Sequence, residues 1–208
     1  MSAIGRSTLD AMVRAHVEWL ASVGARGARL ELTDADLSGA DLSGADLTES
    51  HLPGVNLSGA NLSGVNLSGA NLAGANLFGS VLVGARLAKA NLDGVRASTA
   101  RFDSADLTRT SFTGADLRQV SLDGAQLRRT VLRRADLRGI ALRGAVLDRV
   151  TIADATLGPA DATGATGTIF SDTAMMDTDG RSEPVDAAGV LRWLEAAGAA
   201  QITLYPQS

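Results

Sequence analysis

Asn56-Leu57-Ser58-Gly59-Ala60 is followed at once by Asn61-Leu62-Ser63-Gly64-Val65, and the same five-residue phrase extends far in both directions. Taking every fifth residue from 32 to 157 gives 26 positions; 22 are Leu, and the others are Phe102, Phe112, Ile152 and Ala97. Two residues earlier, the 25 positions from 35 to 155 hold 15 Ala and 5 Val, with Ser50, Ser80, Thr110, Thr130 and Ile140 completing the set. The register never slips, so the internal repeat decides the architecture before any single element is assigned.

Neither regular element can use a period of five. On an α-helix five residues overshoot a full turn by about 140°, which would spread the leucines over every side. On a straight strand an odd step flips the side chain to the opposite face each time. The chain therefore has to bend once per repeat. Gly at 14 of the 26 positions two residues after the central one, Gly39, Gly59 and Gly114 among them, supplies the backbone freedom for those bends. If each Leu and each small residue points inward, the simplest closure is a coil of four repeats, with coils stacked at about 4.8 Å. The predicted core is then a ladder that includes Leu37, Leu57, Leu77, Phe102, Leu117 and Leu137. Six to seven coils make a rod about 30 Å long at that spacing.

The phrase Ala-(Asp/Asn)-Leu-x-Gly, as in Ala40-Asp41-Leu42-Ser43-Gly44 and in residues 56–62, resembles the pentapeptide-repeat family. The resemblance covers about residues 30–165. It implies an all-β fold, a right-handed quadrilateral parallel β-helix, with short capping helices at the two ends. It also implies a binding surface rather than an active site. Some relatives protect DNA gyrase and topoisomerase IV from quinolones by resembling duplex DNA in width, shape and negative charge.

Composition agrees with a regular, small-residue core. Of 208 residues 45% are apolar but only 3% aromatic, so large rings do not supply the buried area. There are 23 Gly and 4 Pro, against both collagen and a Pro-rich disordered chain. The absence of Cys excludes disulfides and thiolate metal cages. Residues 1–20 carry Arg6, Asp10, Arg14 and Glu18, which fits neither a signal h-region nor a membrane span; a cytoplasmic location is expected.

Three regions are predicted: 1–29 as an N-terminal capping helix, 30–168 as the solenoid, and 169–208 as an acidic loop plus a C-terminal helix and short strand. Ser7-Thr8-Leu9-Asp10 reads as an approximate capping box. Leu9, Met12, Val13, His16, Val17 and Leu20 then recur at helical steps until Gly24. Pro159, Ala162 and Gly167 break the repeat, and residues 171–183 read as a polar loop. Residues 185–197 carry a second helical pattern with Val190, Leu191 and Leu194 on one side, and Ile202-Thr203-Leu204 reads as a short strand. This tail either caps the far end or pairs with a second copy; the resemblance implies a homodimer through the C-terminal segment.

Signals for catalysis are few. The two histidines, His16 and His51, read as a packed cap residue and an outward solenoid residue. No nucleophile elbow, P-loop or His-rich metal spacing is present. Asp177-Thr178-Asp179-Gly180 matches the middle of an EF-hand loop, but Met175 and Asp186 stand where the first and last ligands belong. An acidic turn explains it, and neither a catalytic set, a cofactor nor a metal is called for.

Charge is unevenly spread. Residues 30–85 hold six acids, Asp36, Asp41, Asp46 and Glu49 among them, and no Lys or Arg. Residues 86–150 hold thirteen basic and seven acidic groups. With four repeats per coil, Lys89, Arg109, Arg129 and Arg149 form one outward column, and Arg118 stacks with Arg138 on another face. Like charges about 5 Å apart repel, so the columns either hold an acidic partner or are neutralised by Asp123, Asp136 and Asp148. The leading reading is a non-catalytic scaffold that binds a protein partner through these cations. The alternative is a DNA-mimicking modulator of gyrase or topoisomerase IV, with Asp36, Asp41, Asp46 and Glu49 as its acidic wall. Direct nucleic-acid binding through the Arg belt ranks third, because Phe78 is the one stacking aromatic outside the core of the repeats and the net charge is −4.

Overall fold

In the computed structural model, which describes residues 4–178 and 181–205, residues twenty apart pair in parallel. Asp36 bridges Asn56, Asn56 bridges Asn76, Asn76 bridges Arg96, and the series runs on to Asp136 with Thr156. One coil is therefore four repeats.

Following the amides of a single repeat shows why the phrase has its composition. The Asn56 N–H donates to the Ala35 carbonyl of the preceding coil at 2.8 Å, and those of Leu57 and Gly59 donate to Asn76 and Phe78 of the next at 2.8 and 2.9 Å. The Ala60 N–H closes the turn on the Leu57 carbonyl at 3.0 Å. The fifth amide, on Ser58, is met by the Asn56 side-chain Oδ1 at 3.2 Å. All five donors are satisfied, as a half-buried backbone demands, and the last explains the Asp or Asn before each Leu. Gly59 sits at φ 64°, in the left-handed region that the turn requires.

Inside, Leu37, Leu57, Leu77, Phe102, Leu117 and Leu137 are all buried. Phe102 and Phe112 meet edge to face at 5.9 Å, where Ala97 is the one small residue in the leucine series. The Thr110 and Thr130 hydroxyls, in slots that are apolar elsewhere except at Ser50 and Ser80, donate to the carbonyls of Leu87 and Leu107 at 2.7 and 2.8 Å.

Toward the C-terminus the bridges lengthen into strands: β1 (Ile140–Ala141), β2 (Val146–Thr151), β3 (Ala155–Leu157), β4 (Ala160–Asp161), β5 (Thr166–Phe170), β6 (Thr173–Thr178), β7 (Arg181–Asp186) and β8 (Gln201–Leu204). They extend the solenoid faces as β1-β4, β2-β5-β8 and β3-β6-β7. The coil continues past Leu157, where the leucine series stops, since Leu147 pairs with Gly167 and the Gly139 N–H reaches the Pro159 carbonyl at 2.7 Å; main-chain pairing does not need the leucine. One expectation is corrected here. The stretch read as a loop is the antiparallel hairpin β6-β7, docked in parallel on β3 with Ala155 beside Ala174. Asp179 and Gly180, half of the EF-hand-like motif, lie outside the described residues.

Helix α1 (Arg6–Ala21) starts on Gly5 without a side-chain cap, so Ser7 lies in the first turn instead of capping it. His16 is fully buried. Its Nδ1 accepts the Leu30 N–H at 3.0 Å, which fixes the proton on Nε2, and Nε2 donates to the Thr48 carbonyl at 3.0 Å. Helix α2 (Ala187–Ala196) is capped by Asp186, whose Oδ1 accepts the Gly189 N–H at 2.8 Å. Trp193 is buried on the last coil and donates to the Gly158 carbonyl at 2.7 Å. No helix among the described residues is long and apolar enough to cross a membrane.

Candidate partner-binding surface

The repeat acts as its own control. Each outward slot recurs many times, so a residue that departs from the slot's usual chemistry stands out. The slot two after the central residue has positive φ from Asp34 to Asp154, yet Lys89, Arg109, Arg129 and Arg149 occupy it at φ 62°, 61°, 56° and 58°. An L-residue there is strained by roughly 1 kcal/mol or more. Their amides donate in sequence to Thr108, Arg128 and Asp148 carbonyls and to Thr168 Oγ1, so the four share one column.

Lys89, Arg109 and Arg129 make no ion pair, side-chain hydrogen bond or ring contact among the described residues. With Arg128, Thr108, Ala88 and Asp148 they line a shallow recess of about 330 Å³. Asp148 is turned toward Thr168 and bonds its hydroxyl at 3.5 Å. Arg149 is set apart, its guanidinium 5.2 Å over the Tyr205 ring. Adjacent cations one coil apart repel by about 0.8 kcal/mol even in bulk water.

The second predicted column behaves differently. Arg118 bonds Asp116 through Nη2 at 2.7 Å and approaches Asp136 at 3.8 Å. Arg138 bonds Asp136 and Asp177, each at 2.6 Å. The Arg118 guanidinium holds the Asp116 carboxyl far below the usual range, and the carboxylates push Arg118 and Arg138 upward. These two arginines are engaged within the molecule, unlike Lys89, Arg109 and Arg129. Arg143 is likewise held by Asp123.

The four acids proposed as a wall are not brought together as one. Asp36, Asp41 and Asp46 bridge Asn56, Asn61 and Asn66 respectively, and therefore ring three successive sides of one coil. Each is a turn acceptor: Asp36 for the Ser38 N–H, Asp41 for the Ser43 N–H and hydroxyl, Asp46 for the Thr48 N–H and hydroxyl. The Ser38 N–H lowers the Asp36 pKa, and the Ser43 hydroxyl lowers that of Asp41, so both stay ionised. Glu49 heads the same column as Lys89, also at positive φ. Sequence reasoning missed both the turn-acceptor role and the strain; the signal was a slot filled by Gly in 14 of 26 cases and by a cation in the column at issue.

Among the described residues no cluster of three or more His, Asp or Glu is placed to hold a metal ion. What the fold and surface define is a β-solenoid repeat protein with a column of three cations that form no ion pair among the described residues. The family profile described as pentapeptide repeats matches in eight copies over residues 31–69, 70–109 and 110–149, and the chain belongs to the pentapeptide-repeat family, whose members form a right-handed β-helix. Among solved structures it is similar to HetL, a pentapeptide repeat protein involved in heterocyst differentiation regulation in the cyanobacterium Nostoc sp. strain PCC 7120. That likeness has 28% identity over 84% of this chain and 80% of HetL, with a TM-score of 0.66. QnrB1, a plasmid-mediated fluoroquinolone resistance protein, matches at 17% identity over 84% of this chain and 82% of its own, with a TM-score of 0.40. No curated protein matches.

Proposed function

We propose that the chain is a non-catalytic scaffold that holds an acidic protein partner on the Lys89, Arg109, Arg129 and Arg149 column. The observation that carries this is three stacked cations that form no ion pair among the described residues, on backbone that disfavours them, beside arginines that are neutralised. The solenoid is read as four-cornered in cross-section, with α1 and α2 covering its ends. Capture of the partner from lysate by immobilised protein, repeated with Arg109, Arg129 and Arg149 changed to Glu, tests the column. Loss of the partner with unchanged circular dichroism supports it; undiminished recovery refutes it.

A second reading, modulation of DNA gyrase or topoisomerase IV by DNA mimicry, draws on the ring of Asp36, Asp41 and Asp46. The ring is one coil tall and the coils above carry free cations, which ranks this reading below the scaffold. Supercoiling by purified gyrase, with and without a quinolone, decides it: neither inhibition nor protection at micromolar protein removes this reading.

A further inference from the structure

A second concentration of slot departures lies half a coil away from the cationic column. Phe78 occupies a slot that holds Ser38, Ser58 and Ser98 in neighbouring coils, and it is 56% exposed. A Ser there is compatible with every coil around it; the ring gains neither burial nor a hydrogen bond. Arg96 stands in the slot of Asn56 and Asn76, whose side chains cap the next turn and bond each other at 2.9 Å. Arg96 makes no ion pair or side-chain hydrogen bond among the described residues and is exposed. Thr99 and Gln119 occupy glycine slots at φ 61° and 56°; a β-branched residue there is a marked outlier.

These four departures border one open concavity of about 580 Å³, completed by Ser58, Asn76, Ser98, Asp116 and Arg118. Its chemistry is an exposed aromatic anchor beside an uncompensated guanidinium, rimmed by neutral polar groups and an acid–base pair that is already closed. Aromatic and Arg side chains are the residue types that anchor protein interfaces. A single ring gives no run of stacking platforms for successive bases, which nucleic-acid surfaces of this kind use.

We infer that this concavity is a second docking site, for a peptide segment that presents an apolar side chain next to a carboxylate. The apolar side chain covers Phe78 and the carboxylate pairs with Arg96. Thr99 lies ten residues from both Lys89 and Arg109, on the opposite side of the coil, so the two surfaces can be occupied at once. The protein then bridges two partners.

The test uses the full chain, ¹⁵N-labelled, titrated with N-acetyl-phenylalanyl-aspartyl amide and with its asparaginyl counterpart. Saturable amide shifts centred on Ser98, Thr99 and Gln119 are expected, with the asparaginyl peptide about tenfold weaker for loss of one charge-assisted pair. F78S and R96N restore the residue types of neighbouring coils, so they retain the fold; F78S abolishes the shifts, and R96N weakens the aspartyl peptide about tenfold, to the level of the asparaginyl one. The Arg109, Arg129 and Arg149 to Glu variant leaves them unchanged, which separates this site from the cationic column. Absence of saturable shifts, equal binding of both peptides, or full binding by R96N overturns the inference. Preferential binding of a thymidine dinucleotide at these amides overturns the peptide assignment in favour of nucleic acid.

Discussion

At the scale of single residues, the repeat ties each position to one task, and departures carry the information. Leu fills the interior and Asn or Asp answers the amide two residues on, as Asn56 does for Ser58. Gly takes positive φ, and at Arg129 a cation is held there at φ 56° between the cations of Arg109 and Arg149. Changing Arg129 to Gly removes roughly 1 kcal/mol of backbone strain and about 0.8 kcal/mol of repulsion from Arg109, Arg149 being drawn aside over Tyr205. It adds back up to about 1 kcal/mol of chain entropy. The net is a variant more stable by about 1 kcal/mol, read as a rise in melting temperature of about 2–4 °C, that captures the partner less well. A drop in melting temperature contradicts the strain argument. The leucine ladder was legible in the sequence because burial at a fixed period leaves no alternative. The free column was only half legible, since periodicity aligns Lys89 with Arg149 but cannot say which arginines meet an acid.

Elements follow the same division. The helices were visible from their apolar steps, whereas the start of α1 at Gly5 was not, because Ser7 and Asp10 suit a first turn as well as a cap. The β6-β7 hairpin was missed for a physical reason: its strands are half exposed and are held by main-chain pairing to β3 and by Arg138 with Asp177, neither of which leaves an alternating pattern. Helix α1 makes a pH-dependent contact. Burial lowers the His16 pKa from 6.5, offset in part by Asp46 and Glu49 and reinforced by Arg29. The folded state therefore binds fewer protons than the unfolded one, and the stabilisation is complete above pH 6.5 and lost as pH falls through the lower folded value. Protonated Nδ1 can no longer accept the Leu30 N–H. Hydrogen exchange at Leu30 is expected to accelerate between pH 6.5 and 5 beyond the intrinsic trend, and His16→Gln to flatten that dependence. Identical profiles for the two proteins refute this account.

For the molecule as a whole, each coil contacts only its neighbours, so stability is a sum of nearest-neighbour terms. In coils flanked on both sides the inward side chains, such as Leu77 and Phe102, are fully buried, while β7 is mostly exposed and paired on one edge. Native-state exchange should rank the amides of Leu77 and Phe102 slowest and those of β7 fastest; uniform protection is the contrary outcome. Fold and length were legible from one phrase repeated without slippage. The partner surfaces needed three dimensions, because neutralisation of Arg143 by Asp123 and exposure of Phe78 depend on what lies one coil above and below.

The twenty-residue pairing also constrains how such a chain can change in length. A duplication or loss of one whole coil lifts or lowers everything beyond it and leaves each face in phase, like adding a storey to a tower. A change of one repeat keeps every leucine inside yet turns all later faces by a quarter, scattering Lys89 and Arg109 onto different walls. Insertion of one repeat between residues 95 and 100 is therefore expected to leave the fold intact while separating Lys89 from Arg109, whereas insertion of a whole storey keeps the two on one wall.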